Sequence, residues 1–375
     1  MPSIITHGPS RVKVVPPAGL CYITSMERRD LKQFSFEEFD RFVSELGWSK
    51  YRAQQLRDWI YQKKIWAFET MTNLSKTDRE RLTERAFISE PTEVRRQTAG
   101  DGTQKFLLRL SDGQEIESVL IPDDDRLTLC ISTQVGCTLD CAFCLTGTMG
   151  LIRNLKAHEI TDQVLWVQRL LEADRPLTNI VLMGMGEPLA NYREVVEALR
   201  RLTHPKLGAF PPRRITVSTA GMIPQIRQLG DSGLAVNLAV SLNATTHEVR
   251  DRIMPAVNRL YPLEDLLAAC RDYPVAPRRR IFFEYVMLKG INDSEEDARR
   301  LLRLAKGIRC KVNLIPFNEY PGSPFGRPED DTVLRFQKIL IAGRIPAFIR
   351  KSRGRDILAA CGQLRTDTKL LPTRV

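Results

Sequence analysis

The sequence predicts an α/β protein: a partial (βα)6 barrel of the TIM type, short of two units, with a small helical accessory domain on its N-terminal side. Three observations predict it. Six short apolar stretches, at 127–133, 179–183, 214–218, 235–241, 280–287 and 311–316, recur with amphipathic stretches between them. In the stretch 157–173, for example, Ile160, Val164, Val167 and Leu171 share one helical face. This alternation reads as parallel strands joined by right-handed crossovers. Upstream, residues 35–89 keep a helical period instead.

Taken in order, residues 1–27 are Pro-rich and read as an irregular segment. Ser35 with Glu38 three positions later forms a capping box, and Phe39, Phe42, Val43 and Leu46 follow at helical spacing. A second helix carries Tyr51, Ala53, Leu56, Trp59 and Ile60, and a third is expected over 76–87. This accessory domain, 28–100, is studded with Lys50, Arg52, Arg57, Lys63 and Lys64. Those cations either keep a bundle soluble or make a helix-hairpin-helix-like grip for RNA. Residues 101–126 read as a β-hairpin connector, with the turn Ser111-Asp112-Gly113 between two alternating runs. The barrel then occupies 127–364, and 365–375 is a tail.

Lys and Arg outnumber Asp and Glu by 56 to 45, a formal net charge of +11. That balance fits a polyanionic partner without choosing among RNA, DNA and a membrane surface. Eight cysteines in 375 residues are too sparse for a secreted disulfide scaffold, and clustered thiols suit a reducing cytosol. Pro2, His7, Pro9, Arg11 and Lys13 interrupt any signal-peptide core, and no run of about 18 apolar residues exists to span a membrane. The expectation is a cytoplasmic monomer with no membrane partner.

Cys137-Thr-Leu-Asp-Cys141-Ala-Phe-Cys144 has the spacing C-x3-C-x2-C. A cubane iron–sulfur cluster is normally held by four thiolates. Three thiolates in one loop can hold three irons and leave the last open to a small molecule. A zinc site wants a fourth ligand nearby, and a disulfide framework does not compress three thiols into one loop. The spacing is the signature of enzymes whose open iron is chelated by the amine and carboxylate of S-adenosylmethionine (SAM).

In barrels the chemistry collects at the C-terminal ends of the strands. The cysteine loop follows the first expected strand, and Gly184-Met185-Gly186-Glu187-Pro188 follows the second. Ser218-Thr219-Ala220-Gly221 ends the third, Ser241-Leu242-Asn243 the fourth and Pro316-Phe317-Asn318 the sixth. Each alone is an ordinary turn. Around one rim, together, they mark a ligand site.

Among the remaining cysteines, Cys21, Cys270 and Cys310 read as small core hydrophobes. Cys130 lies on the strand feeding the cysteine loop. Cys361 sits in Ala359-Ala360-Cys361-Gly362 beside Arg350, Lys351, Arg353 and Arg355, a poor core stretch whose cations are expected to favour a thiolate. His7, His158, His204 and His247 show no metal or catalytic spacing.

Ile121-Pro122, Leu129-Cys130, Gln134-Val135-Gly136-Cys137, Arg153-Asn154-Leu155, Gly184-Met185-Gly186-Glu187-Pro188 and Ala359-Ala360-Cys361-Gly362-Gln363-Leu364 together resemble the RlmN/Cfr family of radical-SAM RNA methyltransferases, on its RlmN branch. The resemblance runs from about Glu117 to Leu364, and the segment before residue 100 is similar to the family's accessory RNA-binding domain.

The resemblance implies methylation at C2 of one adenosine of 23S rRNA, in the peptidyl-transferase centre, and of the adenosine 3′ to the anticodon in some tRNAs. It implies a [4Fe-4S] cluster on Cys137, Cys141 and Cys144, two SAM per turnover, and an external electron donor such as flavodoxin or ferredoxin. Adenine C2 is electron-poor, so polar methyl transfer has no nucleophile to use. On the family's model Cys361 first takes a methyl group, a 5′-deoxyadenosyl radical removes hydrogen from it, and the carbon radical adds to the base. Cys130 then displaces the thioether, leaving a transient Cys130–Cys361 disulfide, and Glu117 is the acid–base carboxylate. Gly186, Glu187, Ser218, Ser241, Leu242, Asn243 and Asn318 are the implied SAM contacts.

Leu151 and Asn243 depart from the family's usual Phe and His. A Cfr-like C8 methyltransferase would use the same cysteines, but Arg353-Gly354-Arg355-Asp356 favours the RlmN branch. The alternative of another class is a non-enzymatic RNA-binding protein with a structural iron–sulfur cluster. It needs neither Cys130 nor Cys361.

Overall fold

One ten-stranded sheet organises the chain, and strands adjacent in sequence are adjacent in space throughout. Its strands, in chain order, are β1 Thr92–Thr98, β2 Gln104–Arg109, β3 Glu115–Asp123, β4 Arg126–Cys130, β5 Asn179–Leu182, β6 Ile215–Thr219, β7 Asn237–Ser241, β8 Ile281–Met287, β9 Cys310–Pro316 and β10 Ala347–Ile349. The computed structural model describes residues 28–172 and 174–365. The expected segment 1–27 with His7 and Cys21, and all of the expected tail beyond 365, lie outside the described residues.

From β4 to β10 every pairing is parallel. Helices such as Ala157–Leu170, Tyr192–Thr203 and Glu295–Leu304 fill the crossovers. All six expected strands are present, and the partial barrel follows from them. Two strands of this sheet were not expected. β10 has three residues, too few to carry a period. β1 is Thr-Glu-Val-Arg-Arg-Gln-Thr, an edge strand with no buried residue and hence no apolar alternation to read. The expected hairpin is β2–β3, and it continues the barrel's sheet, with Val119 opposite Cys130 on β4.

Strand alternation sorts the side chains into two sets. Ile180, Ile215, Val217, Leu238, Phe283 and Leu314 join the main core under the helices. Each such buried aliphatic side chain contributes about 1.5–3 kcal/mol. The opposite, concave face carries Cys130, Ser218, Ser241, Glu284 and Asn313. A polar lining on that face suits a site, and a core would not tolerate it.

The accessory domain has helices Phe36–Glu45, Lys50–Arg57 and Lys76–Arg85. The capping box at Ser35 and Glu38 forms as expected. The third helix stops at Arg85, short of 87, because Ala86–Phe87 pairs with Arg29–Asp30. Leu165 and Leu207 of the barrel join its core. Between the two parts, Lys32 is buried with its Nζ 2.9 Å from Asp162 and 3.5 Å from the Trp66 ring centroid. Arg57 is not a surface cation: it is buried, pairs with Asp40 and stacks on Phe36 and Phe39. Among the described residues, no helix is long and apolar enough to cross a membrane.

Candidate active site

The cysteine loop leaves the C-terminal end of β4 and is fastened at several points. Cys137 donates its N–H to the Gly150 carbonyl at 3.0 Å, and Ala142 donates to Ile253 at 2.9 Å. Gly136 has φ +76, and a Cβ there would lie 1.9 Å from the Gly150 oxygen, so only glycine fits before Cys137. Cys137, Cys141 and Cys144 are free, partly exposed thiols. Among the described residues, no three His, Cys, Asp or Glu side chains converge on a point where one ion could sit. Three sulfur donors from one loop fit a multi-iron cluster. Burial pushes Cys137 up to about 12, so the loop favours thiolates only with a positive centre among them.

The rim beside this loop is bound to it. Gly184 donates to Ile131 at 3.0 Å, and Thr133 donates to Met185 at 2.8 Å. Gly186 has φ +97, and a Cβ there would lie 2.5 Å from the Gln134 Cβ. Gln134 is the joint: its Oε1 accepts from Thr138 N and Glu187 N, and its Nε2 donates to Thr138 Oγ1 and Asn154 Oδ1. Glu187 is buried and accepts from Leu189 N at 2.9 Å and Ala220 N at 2.8 Å. Burial raises its carboxyl to about 6.

The other implied SAM contacts divide by what their side chains already do. Ser218 and Ser241 face the concave side at the ends of β6 and β7. Leu242 is buried in the main core. Asn243 sits at φ +58, a left-handed conformation that Asn tolerates better than most residues. Its Oδ1 accepts from Val286 N at 2.8 Å and its Nδ2 donates to Met254 Sδ at 3.3 Å, so the side chain locks its own turn. Asn318 is different. Its Nδ2 donates to the Cys361 carbonyl at 3.3 Å, while its buried Oδ1 has no partner among the described residues. That acceptor is open to a ligand donor, and together with the Gly186 bend it fits SAM.

Cys361 arrives on a segment laid across the cysteine loop. Leu145 donates to the Gly362 carbonyl at 2.7 Å, and Thr146 Oγ1 to Leu364 at 2.6 Å. Cys361 is exposed at its residue surface, yet enclosing protein pushes its thiol up to about 12, with Cys144, Cys130 and Glu284 raising it further. The expectation of a thiolate is thus corrected. Arg353 turns away to Asp123, and Arg350 alone opposes the burial. Cys130 is buried on β4, its thiol also raised to about 12. Glu117 lies two residues from Val119, the partner of Cys130, and so on the same face of the sheet. It is 1% exposed.

Several residues here were missed by sequence reasoning. Lys105 pairs with Glu117 at 3.0 Å. Glu284 accepts from Asn313 Nδ2 at 2.8 Å on the concave face. Arg250 is fully buried behind the loop and donates to Ala220 O at 2.9 Å. Glu284 is a single charged residue within an otherwise apolar strand, and Lys105 borders an apolar strand run, a signal that was available; Arg250 left none. Cys270 and Cys310 are buried, as expected.

A model of the radical SAM superfamily matches residues 131–302, and one of the ribosomal RNA large subunit methyltransferase N-terminal domain matches residues 29–88. A protein of Geotalea uraniireducens named dual-specificity RNA methyltransferase RlmN is 52% identical, covering 91% of this chain and 97% of its own. Its namesake in Geobacter sulfurreducens is 52% identical over 90% of this chain and 92% of its own. The crystal structure of a radical SAM methyltransferase from Sphaerobacter thermophilus superposes with a TM-score of 0.86 at 46% identity, covering 90% of this chain and 100% of that one. With the cysteine loop, the glycine bend and the Cys361 segment assembled on one rim, the chain belongs to the RlmN family of radical SAM enzymes.

Proposed function

We propose that the protein methylates C2 of an adenosine in 23S rRNA, and of the adenosine 3′ to the anticodon in some tRNAs, by way of a methyl group carried on Cys361. The observation that carries this is the Cys361 segment held across the cysteine loop, with Cys130 at the end of the strand that feeds that loop. A protein that only binds RNA has no use for two extra thiols at the cluster.

Cys137, Cys141 and Cys144 would hold a [4Fe-4S] cluster, and the Gly186–Glu187 bend with Ser218, Ser241 and Asn318 would hold SAM. Bound there, the pair supplies one-electron chemistry able to remove a hydrogen atom from a methyl group. Every other task falls to the chain. Cys361 presents the methyl group to the base. Glu117 takes the proton from the base carbon, and its burial suits a carboxyl that must hold it. After the adduct gives up one electron to the redox partner, Cys130 attacks the Cys361 sulfur and breaks its bond to the methylene carbon; that carbon takes the Cys130 proton to complete the methyl group, and the two sulfurs remain as the Cys130–Cys361 disulfide. Electrons come from an external donor such as flavodoxin or ferredoxin, and the enzyme works as a cytoplasmic monomer.

The test is mass spectrometry of nucleosides from rRNA and tRNA treated with anaerobically reconstituted enzyme, SAM and a reductant. 2-Methyladenosine is expected. 8-Methyladenosine, or no methylated product, overturns the proposal.

A further inference from the structure

The concave face carries a second cluster that the chemistry above does not use. Lys311 lies opposite Phe282, and Asn313 lies opposite Phe348 on the edge strand β10. Lys311 Nζ is 3.8 Å from the Phe282 ring centroid and 6.0 Å from that of Phe348. Phe348 is 51% exposed, which a lone apolar ring on an edge strand does not require. Arg126 and Arg280, at the starts of β4 and β8, share the inward alternation, as does Arg350 just past β10.

All three arginines are exposed. Burial lowers the Lys311 pKa, Glu284 raises it, and Arg350, Arg126 and Arg280 lower it further. Among the described residues, neither these arginines nor Lys311 form an ion pair. Glu284 is the one carboxylate acting on Lys311, and it is tied to Asn313. Strand register runs Ser241, Glu284, Asn313 and Phe348 in one row across β7 to β10, so the exposed ring on the sheet's edge strand lies in line with the implied SAM contact at Ser241. Unpaired cations beside an exposed ring make a surface for phosphates and a stacked base.

We infer that this open seam of the barrel grips single-stranded RNA, with a base flanking the target adenosine stacked on Phe348 and the neighbouring phosphates on Arg126, Arg280, Lys311 and Arg350. The inference rests on the proposed function and specifies where that substrate enters. Cations and a ring at a distance from Cys361 hold the strand, and Glu284 repels phosphate from the deeper position, which leaves that place to a base.

The experiment measures binding of a fluorescently labelled anticodon stem-loop RNA across salt concentration. Phe348→Ala weakens binding about tenfold, and Phe348→Tyr restores it. Arg126→Gln with Arg280→Gln lowers the slope of log affinity against log salt by about 1.4, the share of two phosphate contacts on a single strand. Unfolding midpoints equal to the parent's establish that these exposed substitutions leave the fold intact. Unchanged affinity and slope in both variants overturn the seam alone, provided the parent methylates RNA. Loss of binding to anionic phospholipid vesicles with RNA affinity intact overturns it in favour of a lipid surface. A parent that methylates no RNA overturns the proposed function itself.

Discussion

Lys105 and Glu117 form a buried ion pair, Nζ to Oε1 3.0 Å, that fastens both ends of the segment bearing Cys361. Lys105 also donates to the Leu358 carbonyl at 3.2 Å, and Glu117 Oε2 accepts the Arg365 N–H at 2.8 Å. Leu358 adopts φ +51, a left-handed conformation costly for leucine, at the point where its carbonyl meets the ammonium. The carboxylate proposed to take a proton from the base is thereby also a clasp. Its ionisation and the seating of Cys361 are set by the same contacts.

Removing the lysine separates these effects. Lys105→Met leaves Glu117 buried without its cation, which costs about 3–5 kcal/mol. Burial already raises the Glu117 pKa and Lys105 opposes the rise, so the variant's carboxyl titrates higher still. A folded pKa above the unfolded one means that stability is fully present below the unfolded value and is lost as pH rises through the folded one. The variant's unfolding midpoint therefore falls below the parent's most at pH 8 and least near pH 5. Parallel midpoint-against-pH curves for the two proteins would contradict this account.

Lys105 also shows where the sequence was readable and where it was not. The six parallel strands were legible because their outward residues, such as Ile215 and Val217, are apolar over whole strands. The cluster loop was legible because its chemistry lies within eight consecutive residues, and the family resemblance drawn from the same motifs holds. Lys105 and Glu117 sit twelve positions apart along the hairpin and far in sequence from Leu358 and Arg365. No local pattern records a contact that only the closed sheet creates. β1 and β10 were missed for different reasons: an edge strand exposed on both faces has no period, and three residues are too few to show one. Asn243 departs from the family's usual His, and a left-handed turn gives a positional reason for an asparagine there.

Glu284 offers a second pH signature, independent of the clasp. Burial raises its carboxyl to about 6, above an ordinary value of 4.5. By the same sign rule, the buried carboxylate costs stability as pH rises from about 4.5 through 6. Glu284→Gln keeps an acceptor for Asn313 and removes the charge. It should stabilise the protein by about 2 kcal/mol at pH 8, the equivalent of 1.5 pKa units, and by nothing at pH 4.5. Denaturant unfolding at the two pH values reads the difference. A glutamine variant less stable than the parent at pH 8 would show that Lys311 and Arg350 more than offset the burial.

Cys130 gives the most discriminating experiment, because its role exists only if Cys361 carries the methyl group. Once the Cys361 methylene carbon is bonded to the base, a carbon–sulfur bond still tethers protein to RNA. Breaking it needs a nucleophile at the sulfur, and Cys130 is a free thiol at the end of the strand that feeds the cysteine loop. Its thiol, raised by burial to about 12, is mostly protonated at neutral pH, which keeps it from reacting before a proton acceptor is in place. Cys130→Ala should therefore complete carbon–carbon bond formation and stop. After nuclease digestion a residual nucleotide should remain on the peptide containing Cys361, and the double variant Cys130→Ala, Cys361→Ala should carry none. In parent protein the same peptide should show a one-methyl mass increase. An ordinary methyltransferase cannot form that adduct, nor can an RNA-binding protein with a structural cluster. A Cys130→Ala enzyme that turns over at the parent's rate with no adduct would remove Cys130 from the mechanism and leave the release of product to another group.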